Sequence, residues 1–217
     1  MMAVNSRSGA GSSLFEEEES KGPQAMTRFT SEVVESSLLS DLDDVAFLQE
    51  QGFSGRQARL ELLMRGTIDG FGAREFHSRC DGKGPTLTVI KSEKGKVFGG
   101  YAGLSWGIAP RRVPYNDPEA WLFSLTYRTI HRQTRNLKGA VNHSQNTLVS
   151  FGSGEHDHSD LVLFNDCNKN SESSSNLGST YQLPPGATYG STSAKEYFAG
   201  SHEFRVVEIE VFKVTFV

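Results

Sequence analysis

From residue 85 onward the sequence is a succession of short runs rich in β-branched and aromatic residues, each bounded by Gly, Pro, Asn or Ser. Runs with this spacing predict antiparallel pairing in a sandwich rather than alternating βα units. The clearest pair is residues 85–91 and 96–102, joined by Ser-Glu-Lys-Gly, a hairpin signal that ends in Gly95. Further strands are predicted over 121–127, 147–151, 161–164 and 204–214. In the last of these, Val207, Ile209 and Val211 alternate with Glu208 and Glu210, which predicts one buried face and one wet face. The polar stretch 165–176 reads as a mobile surface loop.

Upstream of the strands, three segments can be separated. Residues 1–30 are rich in Gly, Ser and Glu, with glutamate at every position of 16–19, and cannot bury enough apolar surface to offset the entropy of ordering. They are expected to form a flexible tail. Residues 31–58 are expected to be a helical lead-in, because Leu42, Val45 and Ala46 share one helical face, Ser40 and Asp41 can cap it and Gly52 can close it. The rest, 59–217, forms the main domain. In it Leu60, Leu62 and Met64 alternate with charged residues and predict a strand that Leu63 interrupts. Ala73, Phe76, His77 and Cys80 then predict a helix over 72–80 with one buried face.

A chain of 217 residues with 36% hydrophobic content builds one sizeable core. The net charge is −4 and the 22 lysines and arginines are scattered, so no basic stripe exists to neutralise phosphates, and nucleic acid is not an expected partner. Two cysteines far apart do not form the dense framework of a disulfide-stapled secreted domain. No apolar run approaches the roughly 18 residues of a membrane span, and the start lacks the apolar core of a signal peptide. The expected setting is cytoplasmic, without direct membrane insertion.

His156 and His158, flanked by Glu155 and Asp157, have the i, i+2 spacing that brings two imidazoles to one strand face, but no spacing demands the remaining ligands of a metal site. A polar loop is the plainer reading. Cys80, on the apolar face of its predicted helix, reads as a small buried hydrophobe, while Cys167 in the polar stretch reads as the more exposed thiol. No Gly-x-Ser-x-Gly elbow is present, and the glycines of Phe98-Gly99-Gly100-Tyr101 and Phe151-Gly152-Ser153-Gly154 open no phosphate-binding helix. They suit close sheet packing instead, and no cofactor is implied. Glu208 and Glu210 on the wet face, together with Arg111, Arg112 and Tyr115 in the 108–116 connection, are the candidates for contact with a partner.

Four blocks taken together resemble the TLDc domain of the oxidation-resistance protein family. They are LLMRGTIDGFGAREFHSRC from Leu62, DGKGPTLTVIKSEKGKVFGGYAGLSW from Asp81, the FGSG, DCN and SNLGSTY pieces between Phe151 and Tyr181, and YFAGSHEFRVVEIEVFKV from Tyr197. The wording DGFGAREFHSRCDGKGPT resembles the versions found in protists. Gly72 departs from the family where a capping Ser is expected, and the segment around Arg111 and Arg112 diverges. The resemblance implies a two-sheet antiparallel β-sandwich flanked by short helices, mainly β within the α+β class. It also implies a link to oxidative-stress resistance and binding to the vacuolar-type proton ATPase, reached in the cytoplasm or at organelle membranes through that partner. No agreed active site comes with the family. Two alternatives stand beside a docking module: a thiol- or metal-dependent antioxidant enzyme, and a structural subunit of another multiprotein assembly.

Overall fold

The structure is a computed structural model and describes residues 36–153 and 158–217. The candidate ligand His156 lies outside the described residues. Two six-stranded sheets face one another, and every named strand pairing is antiparallel. The first sheet has the spatial order β1 (Ala58–Arg65), β12 (Val206–Phe216), β2 (Thr86–Ser92), β3 (Val97–Ala102), β5 (Trp121–Ser124) and β6 (Thr129–His131). The second has the order β11 (Glu203–Phe204), β10 (Ser173–Ser175), β9 (Leu161–Phe164), β8 (Thr147–Phe151), β7 (Val141–His143) and β4 (Val113–Tyr115). Among the described residues, four short α-helices, α1 (Leu42–Phe47), α2 (Gly66–Asp69), α3 (Ala73–Cys80) and α4 (Thr192–Glu196), complete the mainly β sandwich that the strand pattern predicts.

The hairpin of β2 and β3 forms in the expected register, Thr86 opposite Ala102 and Lys91 opposite Val97, with Gly95 at φ 75° in its turn. Gly100 in β3 explains how closely the layers approach, since a Cβ there would fall 2.7 Å from the Phe151 ring of the opposite sheet; a Cβ on Gly99 would instead meet the Thr88 carbonyl oxygen of the adjacent strand β2. Side chains of Phe98, Leu122, Phe151, Leu163, Phe204 and Val211 fill the space between the sheets.

A second apolar layer lies on the outer face of the first sheet. Leu87, Val89, Tyr101, Trp121, Phe123 and Phe212 point there, and Leu38, Leu39, Leu48 and Phe53 cover them. Phe53 meets Tyr101 and Trp121 edge-to-face with centroids 5.4 and 5.3 Å away. The central strands are therefore buried on both faces, and the expected wet face of β12 is not wet: Glu208 is 8% exposed and Glu210 0%. A bulge between Val206 and Glu208 also turns Val207 outward, 44% exposed, so Val206 rather than Val207 joins Ile209 and Val211 in the interior.

The alternation of β1 breaks at Leu63 because a bulge between Leu62 and Met64 falls there, placing Met64 in the interior while Leu60 and Leu62 pack on the outer layer. All four apolar-face residues of α3 are buried. In α1, Asp41 accepts a hydrogen bond from the Asp43 amide at 2.9 Å and caps the helix, but Leu42 is 83% exposed, and Val45 and Phe47 make the packing contacts instead. The 165–176 stretch is not a loose loop: Ser173–Ser175 is a strand, Asn165 caps α3, and Cys167 is fully buried.

Candidate functional site

The connection between β3 and β5 is fixed from within and apolar on its outside. At its base the Asp117 carboxylate accepts from the amides of Gly103 and Leu104 at 2.7 and 2.9 Å. Trp106 plunges inward, its indole N–H donating to the Thr86 hydroxyl at 2.9 Å and its ring meeting Phe76 and Phe151 edge-to-face. The Gln145 amide donates to the Ala109 carbonyl at 2.8 Å, and the Arg112 guanidinium donates to the Gly152 carbonyl at 2.9 Å. The Tyr115 ring lies on His143 at 4.3 Å, and His143 in turn lies against Trp106. Burial holds the His143 imidazole below its ordinary pKa.

Outward from this base stand Leu104, Ile108, Val113 and Tyr115, between 37% and 65% exposed, with exposed Arg111 among them. Large apolar side chains crowded on one solvent-facing segment mark an interaction surface more than a scatter of single residues does. β4 is the edge of the second sheet, but Pro114 at its centre has no amide to donate to an added strand. This edge therefore presents side chains rather than a free backbone donor at Pro114.

Ile108 also borders an open groove of about 650 Å³ whose wall includes His77, Gln145, Asn146, Phe164 and Glu172. His77 is fixed by two contacts, Nδ1 to the Asp81 carboxylate at 2.9 Å and Nε2 to the Ser144 carbonyl at 3.0 Å. Amide side chains beside an aromatic ring and an aliphatic one offer hydrogen bonds and apolar contact together, the mixture a peptide segment uses.

The remaining candidates fall elsewhere. Glu208 and Glu210 are engaged inside the chain: Glu208 accepts from the Thr67 amide and hydroxyl at 3.1 and 2.5 Å, and Glu210 from Ser36, Ser37, Leu38 and Arg65. Against the upward push of burial, these hydroxyls, amides and the guanidinium hold the Glu210 carboxyl below its ordinary pKa. They are internal anchors, which corrects their assignment to an outer contact face. Cys80 and Cys167 are both free and buried, and burial pushes each thiol up to about 12. Thiols so protonated at neutral pH are poor nucleophiles. His158 is exposed, and among the described residues no group of three or more His, Cys, Asp or Glu side chains converges.

A family model described as the TLDc domain matches residues 28–215. The chain belongs to the TLDc family. Among curated proteins, the mouse MTOR-associated protein MEAK7 is 27% identical over 150 residues, covering 66% of this chain and 32% of the mouse protein. The chicken protein of the same name is 26% identical over 170 residues, covering 74% of this chain and 34% of that protein. The chain thus spans about a third of the length of these relatives.

Within the TLDc domain, two of the sequence blocks have a visible structural purpose. Asp160, fully buried, accepts from the amides of Gly178, Ser179 and Thr180 at 2.7, 3.1 and 2.9 Å and from the Ser179 hydroxyl, which folds the SNLGSTY block around one carboxylate. Trp106, at the end of the second block, is the pillar under the exposed segment. Sequence reasoning singled out Arg111, Arg112 and Tyr115 there but missed Leu104 and Val113, whose exposure depends on which way the loop turns.

Proposed function

We propose that this TLDc domain is a protein-docking module and that the segment 104–115, with the adjoining groove, is the surface it docks with. The observation that carries this reading is a rigid base, Trp106 and Asp117, beneath four exposed apolar side chains and Arg111. Such a preformed surface loses little conformational entropy when a partner arrives. The partner we propose, from the family resemblance, is the vacuolar-type proton ATPase, met in the cytoplasm at an organelle membrane, with oxidative-stress resistance as the downstream effect. That the mouse and chicken relatives are named for association with MTOR is further support for action through a protein partner. No helix among the described residues is long and apolar enough to cross a membrane. Regulation then follows from preference: a module that binds one assembly state tenfold more tightly shifts the balance of states by about 1.4 kcal/mol.

The test is affinity capture from cells under conditions that keep the pump assembled, comparing the natural chain with Ile108→Asp. Pump subunits recovered with the natural chain and lost with the variant are the expected result. Recovery of no pump subunit with either chain overturns the partner, and equal recovery with both overturns the surface.

A further inference from the structure

We propose that Ser37 is a phosphorylation site, and that a phosphoryl group on it releases residues 36–47 from the outer face of the first sheet. Among the described residues, the polar contacts at the N-terminal end of the lead-in converge on one side chain, next to the apolar seat of Leu38 and Leu39. The Glu210 carboxylate accepts from the Ser36 hydroxyl, from the Ser37 amide at 2.8 Å and hydroxyl at 2.9 Å, and from the Leu38 amide at 3.3 Å. A fifth donor, Arg65 Nε at 2.8 Å, comes from β1 and not from the lead-in. Beyond Leu39 the hold weakens, since α1 has no fully buried residue and is held by half-buried Val45 and Phe47 and by Arg128, which donates to the Asp43 carbonyl and pairs with Asp44. Firm packing resumes at Leu48 and Phe53.

Ser37 is exposed although its hydroxyl is engaged, and it sits in irregular backbone, the form that fits a kinase cleft after a small opening. Its flanks are acidic, with Asp41, Asp43 and Asp44 after it and Glu32 and Glu35 before it, and such a flank steers a kinase whose substrate groove is basic. In the transfer, Ser37 Oγ attacks the γ-phosphorus of ATP. The new O–P bond forms as the bond to the β,γ-bridging oxygen breaks, ADP leaves, and the hydroxyl proton passes to the kinase's base.

The phosphorylated Oγ can no longer donate to Glu210, leaving the Ser37 amide as that residue's donor, and the phosphoryl group brings a charge of about −1.5 to −2 against a carboxylate already present. Repulsion and the lost donor act in the same direction. Arg65 keeps its bond to Glu210 whether or not the lead-in is seated, so release does not strand an unpaired buried charge. The anchor thus works as a switch whose fixed half is the Glu210–Arg65 pair and whose movable half is the Ser36–Leu38 turn.

The experiment treats the full chain with ATP, Mg²⁺ and an acidophilic serine kinase, maps the phosphate, and follows amide exchange of residues 38–47; a second preparation carries phosphoserine placed at position 37 during synthesis. Expected are phosphate on Ser37, none at that position in Ser37→Ala, and exchange accelerated at least about tenfold. In Glu210→Gln, which keeps an acceptor oxygen without the charge, phosphoserine at 37 is expected to accelerate exchange much less than in the natural chain. Failure of the kinase to modify Ser37 overturns the site. Phosphoserine at 37 that leaves exchange unchanged, or accelerates it equally in Glu210→Gln, overturns the switch.

Discussion

The side-chain oxygen of Asn165 lies 2.9 Å from the Ala73 amide, so the first turn of α3 is capped by a residue more than ninety positions away. The helix's own N-cap residue, Gly72, has no side chain to do this. Asn165→Ala is expected to destabilise the fold by about 1 kcal/mol, the usual cost of a lost cap. In a domain of this size that is a fall in Tm of about 2–4 °C. Thermal unfolding followed by circular dichroism measures it.

That cap illustrates which parts of the molecule were legible in sequence. The β2–β3 hairpin and the buried face of α3 depend on neighbours a few residues apart, and they were legible. Features that depend on distant pairing were not. Glu210 looked solvated because nothing near it in the chain announces that Ser36 and Ser37, about 170 positions earlier, would cover it. Cys167 looked exposed because polar neighbours surround it in sequence, yet it packs in the interior. Val206 takes the interior place expected of Val207 through a bulge, which a strict period of two cannot reveal. In the candidate site, the aromatic Tyr115 and the two arginines were visible as residue types. The base formed by Trp106, Thr86 and His143 required three separate segments to meet.

The Asp160 carboxylate gathers the amides of residues 178–180 while burial pushes its pKa up to about 6. Asp160→Ala leaves those donors without an acceptor in a site closed to water. Unsatisfied buried donors cost about 1–3 kcal/mol each at most, and relaxation of the 176–181 turn shares the burden, so a total loss of about 3 kcal/mol is expected. Urea titration of the variant against the natural chain checks it. A loss below about 1 kcal/mol would mean that the turn is held by its other contacts, such as the Tyr181 hydroxyl on the Ala140 carbonyl.

His131 gives the fold a pH dependence of known sign. Its Nδ1–H donates to the Gln182 carbonyl at 2.8 Å and its Nε2 faces the Thr129 hydroxyl at 3.0 Å, both consistent with a neutral ring. Burial holds its pKa below the ordinary 6.5, against the pull of the Gln182 carbonyl. The unfolded chain therefore takes up a proton first as pH falls. The stabilising difference is complete above about 6.5 and is lost as pH drops through that value toward the folded pKa, at no more than about 1.4 kcal/mol per pH unit. His131→Phe is expected to flatten the dependence of Tm on pH between about 7 and 5. The slope left in that variant combines His143, shifted in the same direction by the same cause, with Asp160, whose raised pKa of about 6 acts with the opposite sign over the same range. An unchanged slope would show that His131 does not titrate with unfolding.

Ile108 and Trp106 sit two positions apart on the same connection, yet they are expected to fail in opposite ways. Ile108 is 65% exposed, so Ile108→Asp removes little packing and is expected to move stability by no more than about 0.5 kcal/mol. Trp106 is 3% exposed and bonded to Thr86, so Trp106→Ala is expected to cost about 3–5 kcal/mol. If the 104–115 segment is the docking surface, the first variant keeps its Tm and loses at least tenfold in affinity for the captured partner, because a charge at the centre of an apolar contact must be desolvated on binding. Arg111→Glu tests the polar side of the same surface and is expected to slow association more than it hastens dissociation. Binding that survives both substitutions at full strength would move the interface away from this segment, and the groove wall at Phe164 and Glu172 would then be the next place to substitute.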